Sequence, residues 1–243
     1  PSRVESLIAF MDSMLADSSF VLSVHIPKTA GTTFRRGLES LYGASLVTDY
    51  NDERSDPLDP ANIPATVRCI HGHFKPRKYI GHVCSPCWIT WVREPGERIV
   101  SSYYQYLRNP NAKDPFYVKN FAGPNPISLE KFAVHPAFLN FQTRMLEPLT
   151  FEDFRFVGLA EEFDRSMLLF SRLFAMRLKK LPAKENVNPH KRRDVYDLPE
   201  KLREHIREAH AADFRLYELA RERLPQRIQA TSSISSIFRR LRA

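Results

Sequence analysis

The chain has 243 residues, of which 43% are apolar, and this is enough to bury one hydrophobic core of ordinary size. A formal net charge of +8 favours anionic partners, such as a nucleotide, an acidic glycan or nucleic acid. No apolar run reaches the ~18 residues of a membrane-spanning helix, so the sequence predicts no transmembrane segment.

The chain begins with a predicted helix and a predicted strand. Apolar residues keep helical spacing from Val4 to Leu15, which indicates an amphipathic helix. The apolar run from Phe20 to Ile26 indicates a buried strand, and a second helix is expected from Thr32 to Tyr42. A loop rich in threonine joins this strand to this helix.

That loop, PKTAGTT from Pro27 to Thr33, has the composition of an anion-binding site. Gly31 permits unusual backbone angles, the threonines offer hydroxyls, and a helix N-terminus points N–H groups at a bound anion. Lys28 supplies a mobile positive charge. In P-loop enzymes that use Mg²⁺ the lysine follows the glycines of the loop, whereas here Lys28 precedes Gly31, the only glycine of this loop. The loop therefore predicts a phosphate-like ligand that is held without a metal ion.

Two more strands are predicted in the middle of the chain. The segment from Asp49 to Pro64 is rich in Asp and Pro and predicts a loop. Short apolar runs predict strands at Val67–Ile70 and Trp88–Val92. Histidine and arginine follow these strands, and neither is the carboxylate that would hold Mg²⁺.

The second half of the chain alternates helices with loops. Helices are expected over about Gly96–Leu107, Ser128–Val134, Pro136–Leu146 and Glu161–Met176, a strand over Arg155–Val157, long loops over Asn109–Pro126 and Arg177–Tyr196, and one or two final helices over Pro199–Leu224. Short strands separated by helices predict an α/β fold of three layers, in which helices flank a central parallel sheet. Ligands bind at the carboxyl ends of such strands, where Lys28, His73 and Arg93 are expected.

Two motifs resemble those of the sulfotransferases that use 3′-phosphoadenosine 5′-phosphosulfate (PAPS). The sequence PKTAGTTF from Pro27 to Phe34 is similar to the family's 5′-phosphosulfate loop. Arg93 and Ser101, eight positions apart after a strand, resemble its 3′-phosphate signature. The resemblance implies a P-loop-NTPase-like form of the α/β fold, PAPS as co-substrate and no required metal ion.

The same resemblance implies which residues contact the co-substrate. They are Lys28, Thr29, Ala30, Gly31, Thr32 and Thr33 from the first motif, and Arg93 and Ser101 from the second. The basic segment Asn186–Arg193 is similar to the loop that such enzymes place over the nucleotide, which adds Asn188 and Lys191. The segment Asn140–Leu146 also looks like a later part of this group and indicates structure rather than chemistry.

The sequence His71-Gly-His73 after a strand resembles the corresponding segment of the heparan sulfate 2-O-sulfotransferases, within the glycan type that also includes the 6-O-sulfotransferases. This resemblance implies that His73 is the base that takes the acceptor's proton and that His71 assists it. Lys28 would neutralise charge on the departing phosphate. His25 is left outside the predicted site.

The resemblance implies that the protein moves a sulfuryl group from PAPS to a hydroxyl, most readily of an acidic saccharide or other glycan, by in-line displacement. A non-catalytic nucleotide or acidic-polymer binding module of the same fold stays open as the alternative. Nucleic-acid binding is not favoured, because no recognition motif accompanies the basic segments. The sequence leaves the oligomeric state open.

The cysteines allow several interpretations. Three in a chain of this size argue against a disulfide framework and favour the cytoplasm, with the Golgi lumen as the alternative if an N-terminal anchor was removed. Cys84 and Cys87 form a C-x-x-C that could join Cys69, His71 and His73 in a zinc site. A local disulfide between Cys84 and Cys87, or two ordinary thiols, is favoured over zinc.

The C-terminal end is basic, with six Lys or Arg against one Glu from Arg221 to Ala243. It is also rich in serine, which is typical of poorly ordered termini. We expect one domain over residues 1–225 and a basic, flexible tail over residues 226–243.

Overall fold

The structure is a computed structural model that describes residues 20–50, 58–174 and 196–241, with the backbone alone from residue 233. The predicted helix from Val4 to Leu15 lies outside the described residues. So do Asn188 and Lys191, which the family resemblance placed near the co-substrate.

Five strands form one parallel sheet. They are β1 Val21–Val24, β2 Leu46–Asp49, β3 Cys69–Gly72, β4 Cys87–Val92 and β5 Phe154–Leu159, in the order β2-β3-β1-β4-β5. All four neighbouring pairs are parallel. The helices that connect them flank the sheet, so the predicted α/β arrangement is confirmed.

The register of the sheet brings the ends of three strands close together, with β4 extending two residues beyond the other two. Val24, the last residue of β1, pairs with Gly72 of β3 on one side and with Thr90 of β4 on the other. The segments that follow β3, β1 and β4 therefore leave the same edge of the sheet side by side. This edge carries Lys28, His73 and Arg93.

Eight helices occur in the described part of the chain. They are α1 Gly31–Tyr42, α2 Pro95–Arg108, α3 Pro115–Asn120, α4 Leu129–Ala133, α5 Phe141–Leu146, α6 Phe163–Leu173, α7 Glu200–Ala209 and α8 Ala211–Leu241. Helix α1 is fixed against the sheet by Phe34, which is fully buried and contacts the rings of Trp91 and Phe170. Burial of one such ring stabilises the fold by about 2–3 kcal/mol, and it holds the start of α1 beside β1.

Two elements were missed by the sequence analysis. Strand β2 is short and mixed in polarity, and the loop predicted from Asp49 onward begins on its last residue. Helix α3 lies inside the segment Asn109–Pro126 that was predicted to be a loop. Its local signals were present, because the Asp114 carboxylate accepts a hydrogen bond from the Phe116 amide at 2.8 Å and Pro115 occupies the first helical position.

The last helix extends into the predicted tail. Helix α8 continues through Leu241 with Pro225 inside it, so residues 226–241 are helical where a poorly ordered segment was expected. The division between a domain over residues 1–225 and a separate tail stays a prediction. In the part of the chain that the structure describes, no helix combines the length and apolar character needed to cross a bilayer.

Candidate active site

The loop between β1 and α1 has an unusual backbone conformation. Lys28 and Ala30 both have positive φ angles, 74° and 68°, which non-glycine residues seldom adopt. Such strain of about 1–3 kcal/mol per residue is concentrated at functional sites. The Thr29 hydroxyl donates to the Ile26 carbonyl oxygen at 2.7 Å, so this buried side chain fastens the loop to the end of the strand.

The N-terminus of α1 is suited to an anion. Its N-cap residue, Ala30, has no side chain that could accept from the first amides, and the first turn contains no acidic residue. Helix α2 shows the opposite arrangement, because the Glu94 carboxylate accepts from the Glu97 amide at 2.6 Å. The amides at the start of α1 can therefore receive an external anion, together with the hydroxyl of the half-buried Thr32.

Gly31 is required by a close contact with His25. A Cβ at position 31 would lie 1.9 Å from the His25 ring, well inside van der Waals contact. Only glycine therefore lets the start of α1 pack against this imidazole. His25 follows directly after the end of β1, and its presence here was not expected from the sequence.

Three imidazoles lie together beside the loop, and we call His25, His71 and His73 the histidine cluster. The centroid of the His25 ring is 5.1 Å from that of His71, with the rings stacked, and 4.6 Å from that of His73. Tyr50, just after β2, packs edge-on against His73 at 4.7 Å. The ends of β1, β2 and β3 thus supply one aromatic wall.

The members of the cluster differ in exposure. His71 is 1% exposed, and its Nδ1 atom lies 2.8 Å from the Ser23 hydroxyl, whereas His73 is only partly buried. Burial, together with His73 and Arg35, lowers the pKa of His71 to about 3. Burial and the same neighbours also lower the pKa of His25 well below its ordinary value. Both inner imidazoles are therefore neutral near pH 7.

Arg93 contacts the loop and two carboxylates on neighbouring elements. Its Nη1 atom donates to the Lys28 carbonyl oxygen at 3.2 Å, and its Nη2 atom donates to Glu97 Oε2 at 3.2 Å. Its Nε atom lies 3.7 Å from Glu161 Oε1, just beyond β5. Lys28 of the predicted 5′-phosphosulfate loop and Arg93 are therefore in direct contact. The guanidinium of Arg93 also has two carboxylate neighbours, Glu97 and Glu161.

Ser101 is placed differently from Arg93. It lies one turn beyond Glu97 on α2 and is 6% exposed. Among the described residues, no side-chain hydrogen bond joins Ser101 to Arg93, because the Glu97 carboxylate holds the guanidinium instead. Thr33 is buried in the first turn of α1.

Lys28 is partly desolvated in this surrounding. Burial and the positive charges of Arg93 and Arg108 lower the pKa of its ammonium group to about 8. Lys28 is thus mostly protonated near pH 7, in an environment that lacks a carboxylate partner of its own among its described hydrogen bonds and ion pairs. A bound phosphate would relieve this repulsion between cations.

The cysteines are thiols in the structure. Cys69, Cys84 and Cys87 form no disulfide, which leaves ordinary thiols of the two favoured interpretations. In the described ranges, no group of three His, Cys, Asp or Glu side chains is arranged to hold a metal ion. The zinc arrangement of Cys69, His71 and His73 with the C-x-x-C is therefore not found there.

Two residues of the site were not predicted from the sequence. His25 and Glu161 follow β1 and β5 within two residues, and strand ends of this sheet were already expected to carry functional groups. His25 was visible as a polar residue after an apolar run. Glu161 was likewise the first polar residue after the apolar run over residues 156–160, but its contact with Arg93 spans 68 positions and left no local signal.

Comparison with known proteins identifies the family. The model of the sulfotransferase family matches residues 11–220. The solved structure of mouse sulfotransferase SULT7A1 complexed with PAP superimposes with a TM-score of 0.53 at 13% identity, over 93% of this chain and 94% of that one. A sulfotransferase from Alicyclobacillus acidocaldarius superimposes with a TM-score of 0.46 at 14% identity, over 84% and 96% of the two chains. No curated protein matches the sequence significantly.

The likeness to the mouse structure supports the P-loop-NTPase-like form of the α/β fold that the motifs implied. The family match extends over most of the chain, from before β1 into α8. The chain belongs to the sulfotransferase family.

Proposed function

We propose that this sulfotransferase moves the sulfuryl group of PAPS to a hydroxyl of an acidic saccharide or other glycan, with His73 as the general base. The observation that carries the proposal is the placement of Lys28, His73 and Arg93 after three adjacent parallel strands. An anion-receptive helix start, a base and a second cation then border the same edge of the sheet. The mouse neighbour with PAP adds support for this class of nucleotide.

The residues present fit the two phosphate ends of PAPS. The start of α1 with Lys28 offers amides and an ammonium group to the 5′-phosphosulfate, and Gly31 lets this helix start pack against the His25 ring. Arg93 donates a hydrogen bond to the Lys28 carbonyl oxygen, and its guanidinium is suited to a 3′-phosphate. We expect that phosphate to compete with Glu97 and Glu161 for the guanidinium. Glu161 is the weaker competitor, because its Oε1 atom lies 3.7 Å from the guanidinium, whereas Glu97 accepts a hydrogen bond from it at 3.2 Å.

His73 is the best candidate for the base. It is the least buried member of the histidine cluster and therefore the one that an acceptor hydroxyl would approach most readily, although its Nε2 atom is itself buried. The inner residues His25 and His71 are buried and neutral, and we propose that they orient His73 and keep additional charge away from it. His71 is thus a positioning residue in this proposal rather than a group that touches the substrate.

The reaction needs one proton transfer and one group transfer. PAPS supplies a sulfuryl group attached to a phosphate leaving group. The acceptor oxygen bonds to sulfur while the bond between sulfur and the phosphate oxygen breaks, and His73 takes the hydroxyl proton. Lys28 neutralises the charge that grows on the leaving oxygen. The protein's contribution is mainly orientation and electrostatic stabilisation, for which no metal ion is invoked.

The acceptor class is inferred from family membership and from charge. Membership of the family implies a hydroxyl acceptor, and the net charge of +8 favours a negatively charged one. The histidine pair at the end of β3, His71 and His73, has its likeness in enzymes that act on heparan sulfate. A sulfated or carboxylated saccharide is therefore the first acceptor to test.

The test begins with calorimetric titration of 3′-phosphoadenosine 5′-phosphate (PAP) beside adenosine 5′-phosphate (AMP). The wild type should prefer PAP, and Arg93→Ala should lose this preference by removing the cation that recognises the 3′-phosphate. Arg77→Ala removes an equal charge from an exposed position and should retain it. Absence of binding by either nucleotide would overturn the proposal.

A transfer assay with labelled PAPS and sulfated or carboxylated saccharide acceptors then tests the base. His73→Ala should lower kcat by about 10²–10⁴-fold and leave the PAP affinity nearly unchanged. His82→Ala, which changes an exposed histidine, serves as the control. Full turnover by His73→Ala would show that another group accepts the proton, and PAP binding without transfer to any acceptor would favour the non-catalytic module.

A further inference from the structure

Arg93 is held by an amide clamp that no motif of the proposed site includes. The fully buried side chain of Gln142 contacts both backbone groups of Arg93. Its Oε1 atom accepts from the Arg93 amide at 2.9 Å, and its Nε2 atom donates to the Arg93 carbonyl oxygen at 2.8 Å. A side-chain amide offers one acceptor and donors, as a peptide group does, so Gln142 replaces a neighbouring strand at this one residue.

The clamp is itself held by a buried carboxylate. Asp213 is fully buried near the start of α8, and its Oδ2 atom accepts from the Gln142 amide at 3.0 Å. Its Oδ1 atom accepts from the amide and the hydroxyl of Thr143, each at 2.8 Å. Asp213 therefore accepts hydrogen bonds from amides in the first turn of α5, and its negative charge interacts favourably with the dipole of that helix. Gln142 is fixed at its backbone before its side chain reaches Arg93.

The two helices stabilise each other reciprocally. The Asn140 Oδ1 atom accepts from the Ala212 amide at 2.9 Å and from the Asp213 amide at 3.2 Å. The start of α8 is thus capped from α5, while the start of α5 is capped from α8. This docking sets the position of Gln142 relative to the sheet edge.

The clamp acts where Arg93 would otherwise be free to pivot. Arg93 is the first residue after β4, where pairing within the strand has ended. Its guanidinium reaches the Lys28 carbonyl oxygen and Glu97 from this point. Holding both its amide and its carbonyl restricts the backbone rotations that would swing the guanidinium away. Recognition groups lose much of their effect when they are displaced by about 1 Å.

We infer that Gln142 is a positioning residue for recognition of the 3′-phosphate, and that it acts through the backbone of Arg93. The inference rests on the proposed function, in which Arg93 binds that phosphate. It attributes a role in nucleotide selectivity to the segment Asn140–Leu146, which the sequence indicated to be structural.

The test measures the ratio of the affinities for PAP and AMP by calorimetry, with thermal melting recorded in parallel. In Gln142→Ala this ratio should fall by about tenfold or more, while the AMP affinity changes little, because only the 3′-phosphate contact is misplaced. Thr143→Val removes a neighbouring bond to Asp213 without touching Arg93. It should lower the melting temperature and leave the ratio unchanged.

A second variant gives a readout that a purely structural role would not produce. In Gln142→Glu the ionised carboxylate has no donor for the Arg93 carbonyl oxygen, whereas the protonated form has both a donor and an acceptor. The ratio of its PAP affinity to its AMP affinity is compared with the same ratio for the wild type at each pH. Relative to the wild type, this ratio should recover as the pH is lowered. This variant also carries the test if Gln142→Ala does not fold.

The outcomes separate this inference from the proposed function. If the wild type shows no preference for PAP, the proposed function and the inference both fail. If Arg93→Ala keeps the preference, the 3′-phosphate is recognised by another group and the inference fails. If Arg93→Ala loses the preference but Gln142→Ala and Gln142→Glu keep it at every pH, only the clamp's role is overturned. Equal weakening of PAP and AMP binding would also reduce Gln142 to a structural residue.

Discussion

Gly31 lies so close to the His25 imidazole that a Cβ at position 31 would come within 1.9 Å of the ring. The ring cannot move aside easily, because His71 stacks on one side of it and His73 contacts it on another. The start of the anion-receptive helix and the histidine cluster are thus packed as one unit. This contact connects the predicted phosphate loop to the predicted base.

We expect Gly31→Ala to weaken both folding and PAP binding. The added methyl group would force the loop and the imidazole apart, at a cost of about 1–3 kcal/mol in the free energy of unfolding. Urea denaturation and PAP titration measure the two effects. Gly37→Ala is the matched control on the same helix, since its nearest neighbour, a Met167 methyl group, is 3.9 Å away.

A second substitution, at His25, shows whether the contact with its ring causes the defect of Gly31→Ala. In the double variant Gly31→Ala/His25→Ala the ring that causes the clash is absent, so part of the lost PAP affinity should return. If the two changes are simply additive, the close contact is not the cause of the defect.

The lowered pKa of Lys28 predicts that PAP binding weakens in alkaline solution. With a pKa of about 8, the unliganded side chain loses its proton as the pH rises through this value. The affinity for PAP should therefore be about tenfold lower at pH 9 than at pH 7, and binding should take up a proton. Titrations in buffers of different ionisation enthalpy measure that uptake.

Lys28→Arg provides the control, because a guanidinium stays charged throughout this range. Its PAP affinity should change little between the same two pH values. A pH profile in the variant as steep as that of the wild type would assign the titration to another group.

The buried imidazole of His71 predicts a loss of stability in acid. Its pKa is about 3 in the folded chain against an ordinary value of 6.5, so below pH 6.5 the unfolded chain binds a proton that the folded chain does not. The free energy of unfolding should then fall as the pH decreases from 6.5 toward 3, by up to ~1.4 kcal/mol per pH unit for this one proton. Urea denaturation at several pH values measures the slope.

The variant His71→Gln isolates this contribution, because glutamine does not titrate. It should be less stable than the wild type at pH 7, where the bond to Ser23 is altered, but its stability should depend less on pH. Parallel pH profiles for the two proteins would argue against a neutral buried His71.

Asp49 is expected to be a stabilising residue behind the histidine cluster. Its buried carboxylate accepts from Lys78 Nζ and from the Tyr79 hydroxyl, both at 2.7 Å. Asp49→Ala should lower the free energy of unfolding by about 3 kcal/mol, because it leaves the buried hydroxyl without its acceptor. Tyr79→Phe removes one of the two bonds and should cost only about 1 kcal/mol. Similar losses in both variants would show that the ion pair with Lys78 contributes little.

Much of the fold could be predicted from local sequence. Apolar runs located β1, β3, β4 and β5, and helical spacing located α1, α2 and α6, because burial on one face leaves a periodic signal. Strand β2 carries no such signal, since its first three residues are only partly buried and the buried fourth, Asp49, is polar. Helix α3 was missed although Asp114 and Pro115 marked its start, because a loop rich in Asn, Pro and Gly obscured it.

The sequence by itself also determined the chemistry offered at each strand end. It placed a lysine before α1, a glycine at the start of α1, two histidines around the end of β3 and an arginine after β4. These positions depend only on the chain's order and on the tendency of parallel strands to end at one edge.

Only the tertiary structure decided how those groups meet. The stacking of His25 on His71 depends on the pairing of β1 with β3, and the contact of Arg93 with Glu161 depends on the pairing of β4 with β5. The clamp from Gln142 requires α5 to dock against α8 through Asp213. Such contacts join residues 46 to 71 positions apart, and no periodicity along the chain encodes them, because they arise from the packing of separate elements.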